Sequence, residues 1–221
     1  MKENKESLLL FPYNGNAREA LDCLDDSYSV LGFIDDLSEK QGNDNNGRKI
    51  FSRSALNRFP KAKLLAVPGS PNTFLKRRKI IESLDISNNR FATVIHPSAK
   101  IASTARVGFN TLIMAGVVIS SNVIIGNHVC ILPNTVIHHD SIIEDWVLIG
   151  SGVIAAGCVK VKKNCYIGSG TTIINNIEIG ARSLIGLGSN VIKTIPGGVT
   201  VFGNPATIHK KSLEMEEHDR G

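Results

Sequence analysis

From Ile95 to Val191 an aliphatic side chain occupies every sixth position, in sixteen steps of six without one polar residue in the series. Four residues after each anchor stands a small or β-branched side chain, as at Val117, Val123, Thr135, Ser141, Val153 and Cys165. Glycine often follows the anchor directly, as at Gly108, Gly126, Gly150 and Gly168. An amphipathic helix repeats its apolar stripe near every 3.6 residues and a half-buried strand every second residue, so neither accounts for a period of six. The period predicts short parallel strands joined by tight corners and coiled into a solenoid whose interior is filled by the anchors. If three hexads make a triangular coil, the repeat gives about six coils, stacked at a strand spacing of about 4.8 Å; the period itself fixes neither the three sides nor the hand. Emptying one anchor, for example by Ile149→Ala, is expected to cost roughly 2–5 kcal/mol.

The first 94 residues carry a different pattern. Apolar runs at 8–11, 30–34 and 64–67 predict buried strands, and segments 17–24, 54–59 and 74–84 predict helices or helical turns, the last capped by Asn72 or Thr73. Strands alternating with helices imply a parallel sheet with crossovers. The polar stretch 41–48 is expected to be a surface loop. The chain is therefore expected to divide into an α/β domain over 1–94, a solenoid over 95–206 and a charged tail over 207–221, read as a short helix or a frayed end.

Composition narrows the function. At 221 residues with 42% hydrophobic but only 5% aromatic content, the core is built from branched aliphatics, which suits β-structure. Four cysteines without a C-x-x-C pair read as free thiols in a reducing cytoplasm. The net charge of +5 is dispersed, which argues against nucleic acid as a partner. No apolar stretch reaches the roughly 18 residues of a membrane span, and a secretory signal is not expected at the charged N-terminus.

Ligands of open α/β sheets bind at the carboxyl ends of strands. The candidate loops there hold Asn14, Gly15 and Asn16, then Asp35 and Asp36, with Gly69 in a third wall. No G-x-G-x-x-G fingerprint is present, so a dinucleotide is not implied. The two aspartates are suited to a ribose or a base N–H, or else they simply end a strand. The run Arg77-Arg78-Lys79 reads as a solvated helix face. In the solenoid, Ile137 points inward, which leaves His138, His139 and Asp140 on a corner outside the packed axis. Histidine takes up a proton near neutral pH, and an adjacent carboxylate fixes its tautomer. Gly157, eighteen residues on, falls directly over His139 in a three-hexad coil. Cys130 and Cys158 have no adjacent base in the sequence, and Cys165 takes an inward position, so an acyl-cysteine is not expected. The histidines also lack the spacing of a three-histidine zinc site, and no metal is implied.

The hexad pattern resembles the hexapeptide-repeat acyltransferases, although the same solenoid also builds γ-class carbonic anhydrases and inert scaffolds. Over nearly the whole chain, Gly32-Phe33-Ile34-Asp35-Asp36, Val94-Ile95-His96-Pro97-Ser98-Ala99 and Val136-Ile137-His138-His139-Asp140 resemble bacterial sugar-nucleotide acetyltransferases. These include the UDP-4-amino-sugar N-acetyltransferases and the sialic acid O-acetyltransferase-like enzymes. The resemblance implies a Rossmann-like half-domain followed by a left-handed parallel β-helix. It also implies acetyl-CoA as co-substrate, a nucleotide-linked 4-amino-4,6-dideoxy sugar as acceptor, and a cytoplasmic homotrimer serving surface-glycan synthesis, with coenzyme clefts between subunits. His139 then takes the base's place, Asp140 orients it and Gly157 donates its N–H to the thioester oxygen. Acetyl-CoA is expected along Gly157, Gly186, Gly203 and Pro205, the last two lying in a G-x-P-A-like ending. The acceptor falls to Asn14, Gly15, Asn16, Asp35, Asp36 and Gly69. The chain departs from the pattern at Asn16, where N-acetyltransferases commonly carry histidine, and at Leu148, where some relatives have a second one. O-acetyl transfer, and a solenoid that binds a sugar nucleotide without turnover, are the alternatives.

Overall fold

The computed structural model describes residues 5–211. Its first part is a five-stranded sheet in the order β3-β4-β2-β1-β5, made of β1 (Glu6–Phe11), β2 (Tyr28–Ile34), β3 (Gly42–Asn43), β4 (Lys49–Phe51) and β5 (Lys63–Ala66). β1, β2, β4 and β5 run parallel, and β3 folds back antiparallel on β4. The segment 41–48 is thus the tip and arm of a hairpin rather than a plain loop. The helices are short: α1 (Gly15–Glu19), α2 (Ala55–Arg58) and α3 (Arg77–Glu82), the last entered through a 3₁₀ turn at Phe74–Lys76. Neither Asn72 nor Thr73 caps that entry; the Thr73 hydroxyl bonds the Ser70 hydroxyl at 2.9 Å.

The solenoid follows as two-residue strands β6 (Val94–Ile95) to β22 (Asn190–Val191). They form three faces, and every pair within a face is in parallel register at an offset of eighteen residues, for example Ile131↔Ile149, Ile137↔Ala155 and Ile143↔Val161. The anchors and the residues four positions later share one continuous buried core. The hydroxyls inside it are satisfied locally: Thr135 Oγ1 donates to Gly150 O at 2.8 Å and Ser141 Oγ to Ala156 O at 3.2 Å. Where this position carries a hydroxyl, it therefore ties its corner to the next coil, rather than only giving it room. Ile95 departs from the series. It is 38% exposed, because no coil lies beneath the first one.

The corners carry left-handed backbone at non-glycine positions, among them Asn122, His128, Asp140, Trp146, Cys158 and Asn176, with φ between 58° and 68°. The solenoid ends in an antiparallel hairpin, β23 (Val199–Gly203) with β24 (Ala206–Lys211). Ile208 to Lys211 is thus strand, where the charged sequence suggests a helix or a frayed end; residues 212–221 lie outside the described ones.

One face of the solenoid is covered by the α/β domain. Its outward side chains Leu112, Cys130, Leu148, Tyr166 and Leu184 pack with Leu8, Leu10, Phe33, Leu65 and Phe74 in a single cluster. Two polar groups fix the seam. Asn110, fully buried, accepts from Ala66 N at 2.7 Å and donates to Ala66 O at 3.0 Å, acting as an added strand at the edge of β5. Arg77 is also fully buried, which contradicts the solvated face expected for it. Its guanidinium donates to His128 O at 2.7 and 3.2 Å and to Pro68 O. Burial lowers its pKa to about 10, so it stays cationic at neutral pH and its described partners are carbonyl oxygens.

Candidate active site

The corner between the strands Val136–Ile137 and Ile142–Ile143 carries the histidine-carboxylate pair. His139 Nδ1 lies 2.8 Å from Asp140 Oδ2. The other carboxylate oxygen, Oδ1, accepts from Asn122 Nδ2 at 3.0 Å, one coil below. These two bonds lower the Asp140 pKa, the Asn122 bond contributing most. An ionised Asp140 selects the tautomer with the proton on Nδ1 and leaves the Nε2 lone pair free. Nε2 faces the next coil: a Cβ added at Gly157 would meet it at 2.6 Å and Cε1 at 2.7 Å. The ring therefore lies against bare backbone, and any larger residue at 157 would push it aside.

Gly157 sits where the eighteen-residue offset predicts. Cys158 N donates to His139 O at 2.9 Å, which locks the two corners together. The sequence suggests no base beside Cys158, but stacking brings its thiol into one group with the His139 and Asp140 ligand atoms, all within 4.8 Å of one another. Asn122 also goes unnoticed in the sequence, though its distance of eighteen residues from Asp140 is the signal that would find it. The other cysteines are inert by environment. Burial pushes the Cys130 thiol up to about 11 and the Cys165 thiol up to about 12.

The loops at the carboxyl ends of β1, β2 and β5 come together, but several of their polar groups are already engaged. Asn14 caps α1, accepting from Ala17 N at 2.9 Å and donating to Val67 O at 3.1 Å. Asp35 is buried and accepts from Tyr13 N and Leu37 N, each at 3.0 Å, with Lys40 Nζ at 3.4 Å. Asp36 holds Arg53 through Nε at 2.5 Å and Nη2 at 2.8 Å. These three residues shape the loops. Gly15, Asn16 and Gly69 remain open to a ligand. Asn16 and Gly69, with Ser70, Pro71, Leu132, Leu148 and Tyr166, line a cavity of about 200 Å³ between the domain and the solenoid. Gly69 has φ +129° and leaves only 2.7 Å between a notional Cβ and Leu148 Cδ1, so only glycine fits there.

Within one chain the histidine corner and this cavity are not brought together. The cavity opens on the solenoid face under the α/β domain, whereas His139 stands at the junction of the other two faces with its side chain 60% exposed. Gly186 occupies a corner at the opposite edge of one of those two faces, packed on Phe202 Cβ. Gly203 and Pro205 form the exposed turn of the terminal hairpin.

Two overlapping stretches, residues 104–139 and 122–157, match the family model of bacterial transferase hexapeptide repeats (six repeats). The matched stretch, residues 104–157, is similar to these repeats. Among solved structures, a histidine-to-asparagine mutant of perosamine N-acetyltransferase from Caulobacter crescentus, in complex with CoA and GDP-perosamine, superposes with a TM-score of 0.81 at 22% identity over 93% of this chain and 97% of that one. The acetyltransferase domain of PglB from Neisseria gonorrhoeae, in complex with acetyl coenzyme A, gives 0.82 at 23% identity over 93% and 100%. WeeI from Acinetobacter baumannii gives 0.77 at 23% over the same shares. No curated protein matches the chain by sequence. The chain thus has the fold of these proteins, a Rossmann-like half-domain on a left-handed parallel β-helix. At this identity the likeness fixes the fold alone.

Proposed function

We propose that this protein is an acetyl-CoA-dependent N-acetyltransferase acting on the amino group of a nucleotide-linked 4-amino-4,6-dideoxy sugar. The observation that carries the reading is the His139–Asp140 pair laid against the Gly157 backbone. Moving an acetyl group from a thioester to an amine requires a proton acceptor, a donor for the developing oxyanion and alignment of both substrates. His139 Nε2 takes the proton of the attacking amine while Asp140 steadies the imidazolium. The Gly157 N–H binds the thioester oxygen as the tetrahedral intermediate forms. Collapse expels the CoA thiolate, which regains a proton from His139. The solenoid face between the His139 and Gly186 corners, with Ile154 and then the polar Thr172 and Asn190 leading towards the terminal hairpin, gives the coenzyme a track towards the turn at Gly203 and Pro205.

The acceptor is assigned to the cavity at Asn16 and Gly69, with the exposed Gly15 next to Asn16 in the chain and Asn14, Asp35 and Asp36 holding the loops. Because this cavity and the His139 corner lie apart on one chain, the reaction joins the cavity of one protomer to the corner of another in a homotrimer. Complexes of the Caulobacter enzyme with CoA and GDP-perosamine support this substrate class. One observation favours a second reading. Asn16 stands where the resemblance places a histidine beside the acceptor, which leaves transfer to a sugar hydroxyl, or another nucleotide handle, open.

The deciding experiment is a panel of UDP-, dTDP- and GDP-linked 4-amino-4,6-dideoxy sugars with acetyl-CoA, followed by thiol release. Turnover with an amino sugar is expected, and His139→Ala should lower kcat about 10²–10⁴-fold while CoA still binds. Turnover only with hydroxyl acceptors would favour O-acetyl transfer; near wild-type turnover of His139→Ala would remove the base.

A further inference from the structure

We infer that the His139 corner is also a binding site for a thiophilic divalent cation, Zn²⁺ in the first place, and that occupation of this site switches the base off. The metal site stands on geometry alone; the switching rests on the reading of His139 as the base. Cys158, Asp140 and His139 come from two successive coils, and their ligand atoms lie within 4.8 Å of one another on a solvent-accessible corner. That is within a side-chain rotation of the spacing around a tetrahedral ion, and one thiolate, one imidazole and one carboxylate plus a water make a zinc-like ligand set. A thiolate and a carboxylate also neutralise the ion's two charges. The Asn122 bond to Asp140 Oδ1 orients the carboxylate from outside the ligand set, as supporting hydrogen bonds do around metals.

The cysteine itself is out of place by the logic of the corners. It holds φ 59°, and the equivalent positions one coil before Asp140 and one coil after Cys158 are Asn122 and Asn176, both at φ 60°. Asparagine suits left-handed backbone, and cysteine has no such advantage. Binding replaces the thiol proton, which leaves to solvent, and forms the metal–sulfur, metal–nitrogen and metal–oxygen bonds. If the metal takes His139 Nε2, it occupies the lone pair used for catalysis. If it takes Nδ1, the ring proton must move to Nε2. In both cases Nε2 can accept no further proton.

The test uses the full chain after chelator treatment. Titration with Co²⁺ is expected to show one ion per chain with thiolate-to-cobalt charge-transfer absorption, displaced by Zn²⁺. Cys158→Asn, which places the neighbouring coils' own residue at this backbone position, should lose that absorption and weaken Zn²⁺ binding by more than about tenfold. No charge-transfer band in the wild type, or undiminished Zn²⁺ binding in Cys158→Asn, overturns the site. In the thiol-release assay Zn²⁺ should inhibit the wild type and spare Cys158→Asn. Stoichiometric binding without inhibition would overturn the switching and the place of His139 as base, and leave the metal site standing.

Discussion

His128 is stacked flat on Trp146, with ring centroids 3.9 Å apart and 6° between planes, and is met edge-on by Phe91 and Phe109. Asn110 Nδ2 lies 2.8 Å from its Nδ1. Burial first, and then the Arg77 charge, push its pKa down to about 3. The unfolded chain would bind a proton here near pH 6.5 while the folded one refuses it until about pH 3. Stability should therefore be unaffected by this residue above about pH 7 and fall as pH drops through that window, by at most ~1.4 kcal/mol per pH unit. Denaturant unfolding across the range of histidine titration, from about pH 8 to about pH 4, checks this. His128→Asn should be less stable at neutral pH yet show a shallower loss on acidification. Identical slopes would mean that His128 protonates within the fold. Arg77 illustrates a limit of reading residues one at a time: beside Arg78 and Lys79 it looks like a solvated charge, and only the neighbouring His128 and Pro68 carbonyls make its burial tolerable. Nothing local in the sequence announces partners fifty-one residues away.

At the scale of the element, the period of six carries nearly all the information. It places the strands, the inward anchors and the stacking of Gly157 on His139, because each of these depends only on an eighteen-residue offset. What it leaves out depends on ends and neighbours. Ile95 obeys the pattern but has nothing beneath it, and β24 is a strand because it pairs antiparallel with β23, despite its charge. Ile149 and Ile95, the same residue type at the same repeat position, should therefore respond differently to truncation. Ile149 is 2% exposed and Ile95 38%. Urea unfolding should show Ile149→Ala destabilised by roughly 2–5 kcal/mol and Ile95→Ala by no more than about 1 kcal/mol. Equal losses would mean that the first coil is covered in solution. The α/β part is less legible, since its helices span four to six residues and their boundaries are set by packing on the sheet.

For the molecule as a whole, the exposed pair at His139 and Asp140 stands on a corner whose two adjoining faces carry Val118, Ile124 and Ile154, each more than a third exposed. The α/β domain packs on the third face. Sedimentation equilibrium at micromolar concentration is expected to give three chains per particle, and a monomer would dissolve the composite site. Among the described residues no helix is long and apolar enough to cross a membrane. Uniform stacking has a geometric consequence. Each coil hands its successor the same register, so the separation between the His139 corner and the turn at Gly203 to Pro205 is quantised in steps of one strand spacing, about 4.8 Å. Inserting or excising eighteen residues between these points would lengthen or shorten that ruler by one graduation while every anchor still found a partner above and below.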